Sequence, residues 1–146
     1  MKSAKLLQQW IIVSLKKYGW LPVILFTFHL AVSRIFQLYD LYPSIDIPMH
    51  FIGGFCIAYF LKGSYLTAKR LKLLGQPTNV LGIITVFALV GLSTILWEFS
   101  EFSYDFIFHT ALQTGLADTM LDMFLGMLGG IVLLAMSSLQ GGKLEL

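Results

Sequence analysis

Three short acidic clusters and one histidine carry most of the chemistry available in this sequence. Asp46 and His50 are four residues apart, Glu98, Glu101 and Asp105 are spaced three and four apart, and Asp118 and Asp122 are again four apart. On a helix, each of these spacings puts its members on one face. Six carboxylates gathered around one imidazole cannot all stay ionised without compensation: either some take up protons or a bound cation neutralises them. Carboxylates with an imidazole suit a divalent Zn, Mn or Mg ion. Such an ion polarises a phosphoryl or carbonyl oxygen, or activates a water. The expected ligands are Asp46, His50, Glu98, Asp118 and Asp122, with Glu101 or Asp105 as a general base. No serine or cysteine has a convincing activating partner, so activated water is the expected attacker.

Structural roles compete for several of these positions. Asp46 and Asp118 fall where helices begin, and there aspartate caps free N–H groups and complements the helix dipole. Capping does not account for His50 or Asp122, one turn deeper, for which an interhelix hydrogen bond is the alternative to ion binding. Glu101 and Asp105 also fit a solvated face. His109 reads as a loop residue, and His29, in the middle of the first apolar run, reads as a hydrogen-bonding partner for a neighbouring helix or part of a proton relay. Arg34 is expected to pair with an acid.

These residues sit in a chain built for lipid. Of its 146 residues, 57% are hydrophobic and 12% charged, against about 25% charged in an ordinary soluble domain. The surplus apolar surface is expected to face a bilayer. The pattern predicts an all-α, polytopic helical bundle in one membrane domain. An amphipathic interfacial helix over 1–17 is followed by four spans at about 20–37, 47–66, 80–97 and 116–138, with the third pattern open to extension as far as Phe108. Helices are expected because lipid demands internal backbone hydrogen bonds. The first apolar run lacks a small-residue cleavage site and more runs follow it, so no cleavable signal peptide is expected. The single cysteine, Cys56, cannot form an intrachain disulfide.

Charge orients the bundle. Lys2, Lys5, Lys16, Lys17, Lys62, Lys69, Arg70, Lys72 and Lys143 fall on one side and only Arg34 toward the other. The positive-inside rule then puts both termini in the cytoplasm of a bacterial inner membrane. Asp40, Asp46, Glu98, Glu101, Asp105, Asp118 and Asp122 lie toward the outside, and Glu145 is the one acid left inside. Small residues share the faces of these groups: Gly54 follows His50, Gly126 and Gly130 follow Asp122, and Gly91 precedes Glu98. In membrane helices small residues mark faces in close contact with a neighbour, so the acids are expected to point into the bundle and converge.

Three motifs, Asp46-x-x-x-His50-Phe51-x-Gly53-Gly54-Phe55, Trp97-Glu98-x-x-Glu101 and Gly115-x-x-Asp118-Thr119-x-x-Asp122-Met123, together resemble the YjdF-like family of small bacterial inner-membrane proteins and, more distantly, VanZ-like proteins. The resemblance covers the second to fourth spans. It implies a helical membrane fold with Asp46, His50, Glu98, Asp118 and Asp122 as motif residues. It carries no reaction, although the VanZ-like association with glycopeptide tolerance points to the cell envelope.

Three functions follow as alternatives. The first is a metal-dependent hydrolase or transferase acting on lipid head groups or lipid-linked glycans at the outer face. The second is a non-catalytic subunit or adaptor of a larger membrane complex, or a homo-oligomer, with the acids as a structural network. The third is a small ion-coupled transporter, ranked last because acids are scarce in the inner half of the spans. The lipid bilayer is the expected surrounding in each case, and no nucleic-acid partner is expected.

Overall fold

The computed structural model describes residues 2–36 and 38–139, apart from the side chains of Lys2, Arg34, Asp40, Ser138 and Leu139. The expected pairing of Arg34, and the charges of Lys143 and Glu145, therefore lie outside the described residues.

Every described element is a helix: α1 (Lys2–Tyr18), α2 (Trp20–Leu30), a π-helical turn (Ala31–Ile35), α3 (Leu38–Leu41), a 3-10 turn (Pro43–Ile45), α4 (Asp46–Arg70), α5 (Asn79–Phe108) and α6 (Leu116–Leu139). The boundaries have local causes. Asp46 lies in the first turn of α4, and Lys69 and Arg70 in its last, charges that match the two ends of the helix dipole. The link to α5 turns through left-handed residues at Lys72 and Gly75. Thr78 then caps α5, its Oγ1 accepting a hydrogen bond from the Leu81 N–H at 3.2 Å. His109 ends α5 in the left-handed conformation, with φ of 54°. Gly115, with φ of 148°, starts the chain into α6, a conformation that favours glycine.

Helix α4 is the hub, packing against α6 most extensively and also against α1, α5 and α2. Glycines set the approach of α4 to α6. A Cβ on Gly54 would overlap the Gly126 carbonyl group, and one on Gly129 would overlap the Phe51 carbonyl oxygen. This is backbone-to-backbone packing of the kind small residues permit in membranes. Below the crossing, Ala58, Val90 and Leu133 form one buried cluster and Tyr65, Val86 and Leu134 another. Exposed large hydrophobic residues far outnumber buried ones, with Ile84, Leu92, Phe106 and Phe124 among them, as befits a surface in contact with lipid rather than water.

Three helices, within Pro43–Arg70, Asn79–Phe108 and Leu116–Ser137, are each long and apolar enough to cross a membrane. The amino-terminal region differs from a simple interfacial helix followed by a span. Helix α2 has 11 residues before it widens into the π-helical turn, where the Phe36 N–H bonds to the Ala31 carbonyl at 3.0 Å. It meets the spanning criterion only jointly with α1, across a 57° bend. Helix α1 docks on α4, with the Trp10 indole N–H donating to the Ser64 carbonyl at 2.8 Å. Leu7, Ile11 and Leu15 remain exposed.

Candidate metal centre

The start of α4, the outer part of α5 and the start of α6 bring four carboxylates around the His50 imidazole. On one ring edge, His50 Nε2 lies 3.2 Å from Asp46 Oδ1 and 3.9 Å from Asp122 Oδ1. Facing the other nitrogen, Glu98 Oε1 is 3.9 Å from Nδ1. Two ligand sets arise, Asp46–His50–Asp122 and His50–Glu98–Glu101, each offering atoms within 4.8 Å of one another. Nitrogen and oxygen ligands about 2.1 Å from a tetrahedral ion stand about 3.4 Å apart, a value bracketed by the 3.2 and 3.9 Å separations on the Nε2 edge. The crossing of α4 and α6 sets this spacing, because Gly54 and Gly126 lie one turn beyond His50 and Asp122.

Glu98 is 3% exposed. Its Oε2 accepts a hydrogen bond from the Gln113 side-chain amide at 2.9 Å, and the same amide reaches the Glu98 carbonyl at 3.0 Å. Its Oε1 is buried with no hydrogen-bond partner. A buried carboxylate oxygen without a partner is costly, and this one is directed at His50 from beyond hydrogen-bonding distance. Among the described residues, no lysine or arginine forms an ion pair with these four acids; His50 is the basic group they share.

Asp105 and Asp118 are placed differently. The Asp105 carboxylate receives the Thr110 hydroxyl at 2.5 Å and the backbone N–H groups of Leu112 and Gln113, each at 2.9 Å. It therefore holds the turn between α5 and α6 in shape and stands outside both ligand sets. Asp118 reaches back from the first turn of α6 to the Thr114 N–H at 3.2 Å, a capping interaction, and it also stands outside both sets. Asp105→Ala is expected to cost about 1–3 kcal/mol by leaving turn N–H groups without their acceptor. Cation binding at the two ligand sets should change far less than on loss of Asp122. Thermal unfolding in detergent and elemental analysis would check the two halves of that expectation.

Two residues join the site that spacing did not single out. Gln113 comes from the polar link, and its closeness in sequence to Gly115 was the only hint of a sharp turn back toward α5. Tyr39, in α3, accompanies His29: its hydroxyl lies 3.0 Å from His29 Nδ1. Burial, and then the nearby charges of Asp46, Glu101 and Asp122, push the Tyr39 phenol above its ordinary value. It therefore keeps its proton at neutral pH, and the imidazole tautomer decides which of Tyr39 and His29 donates in their shared hydrogen bond. His29 also packs edge-on to Trp97, with ring centroids 5.5 Å apart. His109 is exposed at the end of α5.

Fold and site together define a membrane-embedded helical bundle with a partly buried acid–histidine cluster at one end. The chain belongs to the family described as predicted membrane protein (DUF2238), whose pattern matches residues 4–143. YjdF-like proteins are members of that family. The chain is also 32% identical over 104 residues to a Thermotoga maritima protein described as uncharacterized, a match covering 69% of this chain and 51% of that protein. The chain thus spans about half the length of this curated relative. No solved structure matches it.

Proposed function

We propose that Asp46, His50 and Asp122 hold a divalent cation, and that the centre serves hydrolysis or group transfer on a lipid or lipid-linked envelope substrate. The observation that carries this reading is the buried, unpartnered Glu98 Oε1 aimed at His50. When His50 ligates through Nε2, its Nδ1–H points at that oxygen, the carboxylate–histidine–metal arrangement common at protein metal sites. One imidazole among carboxylates favours Zn or Mn over Mg, which prefers oxygen ligands and keeps its waters. A cation held there would polarise a phosphoryl or carbonyl oxygen and lower the pKa of a water.

The remaining groups have complementary roles. Glu98, steadied by Gln113, orients the imidazole. Glu101 takes one proton of the attacking water as its oxygen bonds to the phosphoryl or carbonyl centre, and returns that proton to the leaving oxygen as its bond to the centre breaks. Tyr39 donates a hydrogen bond to the head group. We place the chain in the bacterial inner membrane with both termini cytoplasmic, since every lysine and arginine except Arg34 falls in segments away from the clustered acids. The more distant resemblance to VanZ-like proteins, which are associated with glycopeptide tolerance, favours an envelope substrate.

Elemental analysis of the purified protein tests the reading, with about one equivalent of Zn or Mn expected. Metal-free protein, together with envelope lipids unchanged on loss of the chain, would overturn it. Glu98→Gln is expected to retain the ion but weaken its affinity about 10–100-fold, the usual effect of losing an outer carboxylate. Competition with a calibrated chelator would read that change.

A further inference from the structure

Beside the centre, an apolar cavity of about 180 Å³ lies between α2, α4 and α5. Its walls run from His50 to Ile57, from Trp97 to Val90 and from His29 to Pro22. Each wall covers two helical turns, so the cavity is about 10 Å long and parallel to the helices. One end is polar, at the two imidazoles, and the rest is hydrocarbon-like. Its side between α2 and α5 is bridged by rings, with Phe26 and His29 edge-on to Trp97 at 6.0 and 5.5 Å.

Gly53 is the telling position. It lines this cavity, and a Cβ there would meet nothing within 4 Å. The neighbouring Gly54 is required by helix contact, whereas Gly53 has no contact that requires it. A glycine inside a helix costs about 0.5–1 kcal/mol relative to alanine, and here its effect is to leave the cavity wide.

We infer that this cavity seats one hydrocarbon chain of a membrane lipid whose head group lies against His50. The inference rests on the metal-centre reading for its head-group end. The amphipathic run from imidazole to apolar wall matches a lipid read from head group to tail.

The test reconstitutes wild-type protein into phosphatidylglycerol vesicles containing a phosphatidylglycerol with a diazirine midway along one acyl chain. Adducts formed on irradiation are mapped by peptide mass spectrometry. Adducts are expected within 53–57 of α4 and at Ser93 or Thr94 of α5. Gly53→Leu should abolish most of them, with adducts at lipid-facing Ile84 and Phe124, and bound metal, unchanged. Ser93→Leu fills the cavity from the opposite wall and should do the same. Cavity adducts that are absent from wild type, or equal in wild type and both variants, would overturn the inference. Cavity-specific adducts on a metal-free protein would sustain the chain site while removing the metal reading. Bound metal without cavity adducts would remove the chain site alone.

Discussion

Replacing Asp122 with asparagine is expected to abolish the divalent-cation binding proposed for the centre while leaving the bundle folded. The substitution keeps the shape of a side chain that is 4% exposed, so packing around it should hold. It removes the negative charge on the α6 side of the imidazole, where Asp122 Oδ1 lies 3.9 Å from Nε2. A neutral amide oxygen is a much weaker ligand, and the remaining pair, Asp46 and His50, comes from one helix. The loss should exceed the 10–100-fold typical of an outer-shell change, reaching more than about 100-fold. Titration with Zn²⁺ and Mn²⁺ by calorimetry, beside elemental analysis and a thermal scan for folding, would measure it. Equal metal content in wild type and a folded Asp122→Asn variant would remove Asp122 from the centre.

The second large effect concerns Gly54. Gly54→Val would drive a side chain into the Gly126 carbonyl group, and backbone cannot yield as a flexible side chain can. The helices would have to separate along their most extensive contact. Overpacking of this kind is expected to cost about 3 kcal/mol or more, read as a lower unfolding midpoint in a denaturing-detergent titration. It should also cost the metal, because separation draws His50 and Asp122 apart. Gly53→Ala, one residue away and facing open space, should stay within about 1 kcal/mol of wild type. A Gly54→Val protein as stable as wild type would mean that α4 and α6 do not cross there.

These contrasts mark what periodicity can show. The all-α fold, the membrane-spanning runs of α4 to α6 and the shared faces of Asp46 with His50 and Asp122 with Gly126 follow from helical spacing and hydropathy, both regular along the chain. The fates of Asp105 and Asp118 do not. Both lie at spacings compatible with the centre, yet their carboxylates are taken up by backbone N–H groups of residues 112–114. Those donors depend on the left-handed His109 and the positive φ of Gly115, which face periodicity does not register. Gln113 and Tyr39 were missed for the same reason, since they enter through links and not through helix faces. The break between the amphipathic helix over 1–17 and the run from about 20 is legible from Lys16 and Lys17, whereas the π-helical turn after Leu30 is invisible to a hydropathy window.

The length of α5 has a consequence for how solutes arrive. Its 30 residues reach about 45 Å, while the hydrocarbon layer is about 30 Å thick. The surplus is not polar all round: Phe99, Phe102, Phe106 and Phe108 remain exposed on it. Phenylalanine lacks the polar group by which tryptophan and tyrosine anchor at the interface, so this apolar collar keeps the adjoining acids at the membrane boundary instead of in bulk water. A cation approaching the proposed centre would first enter that boundary layer. The concentration it experiences is then set by the leaflet's surface potential, and the composition of the surrounding lipid becomes part of the apparent affinity.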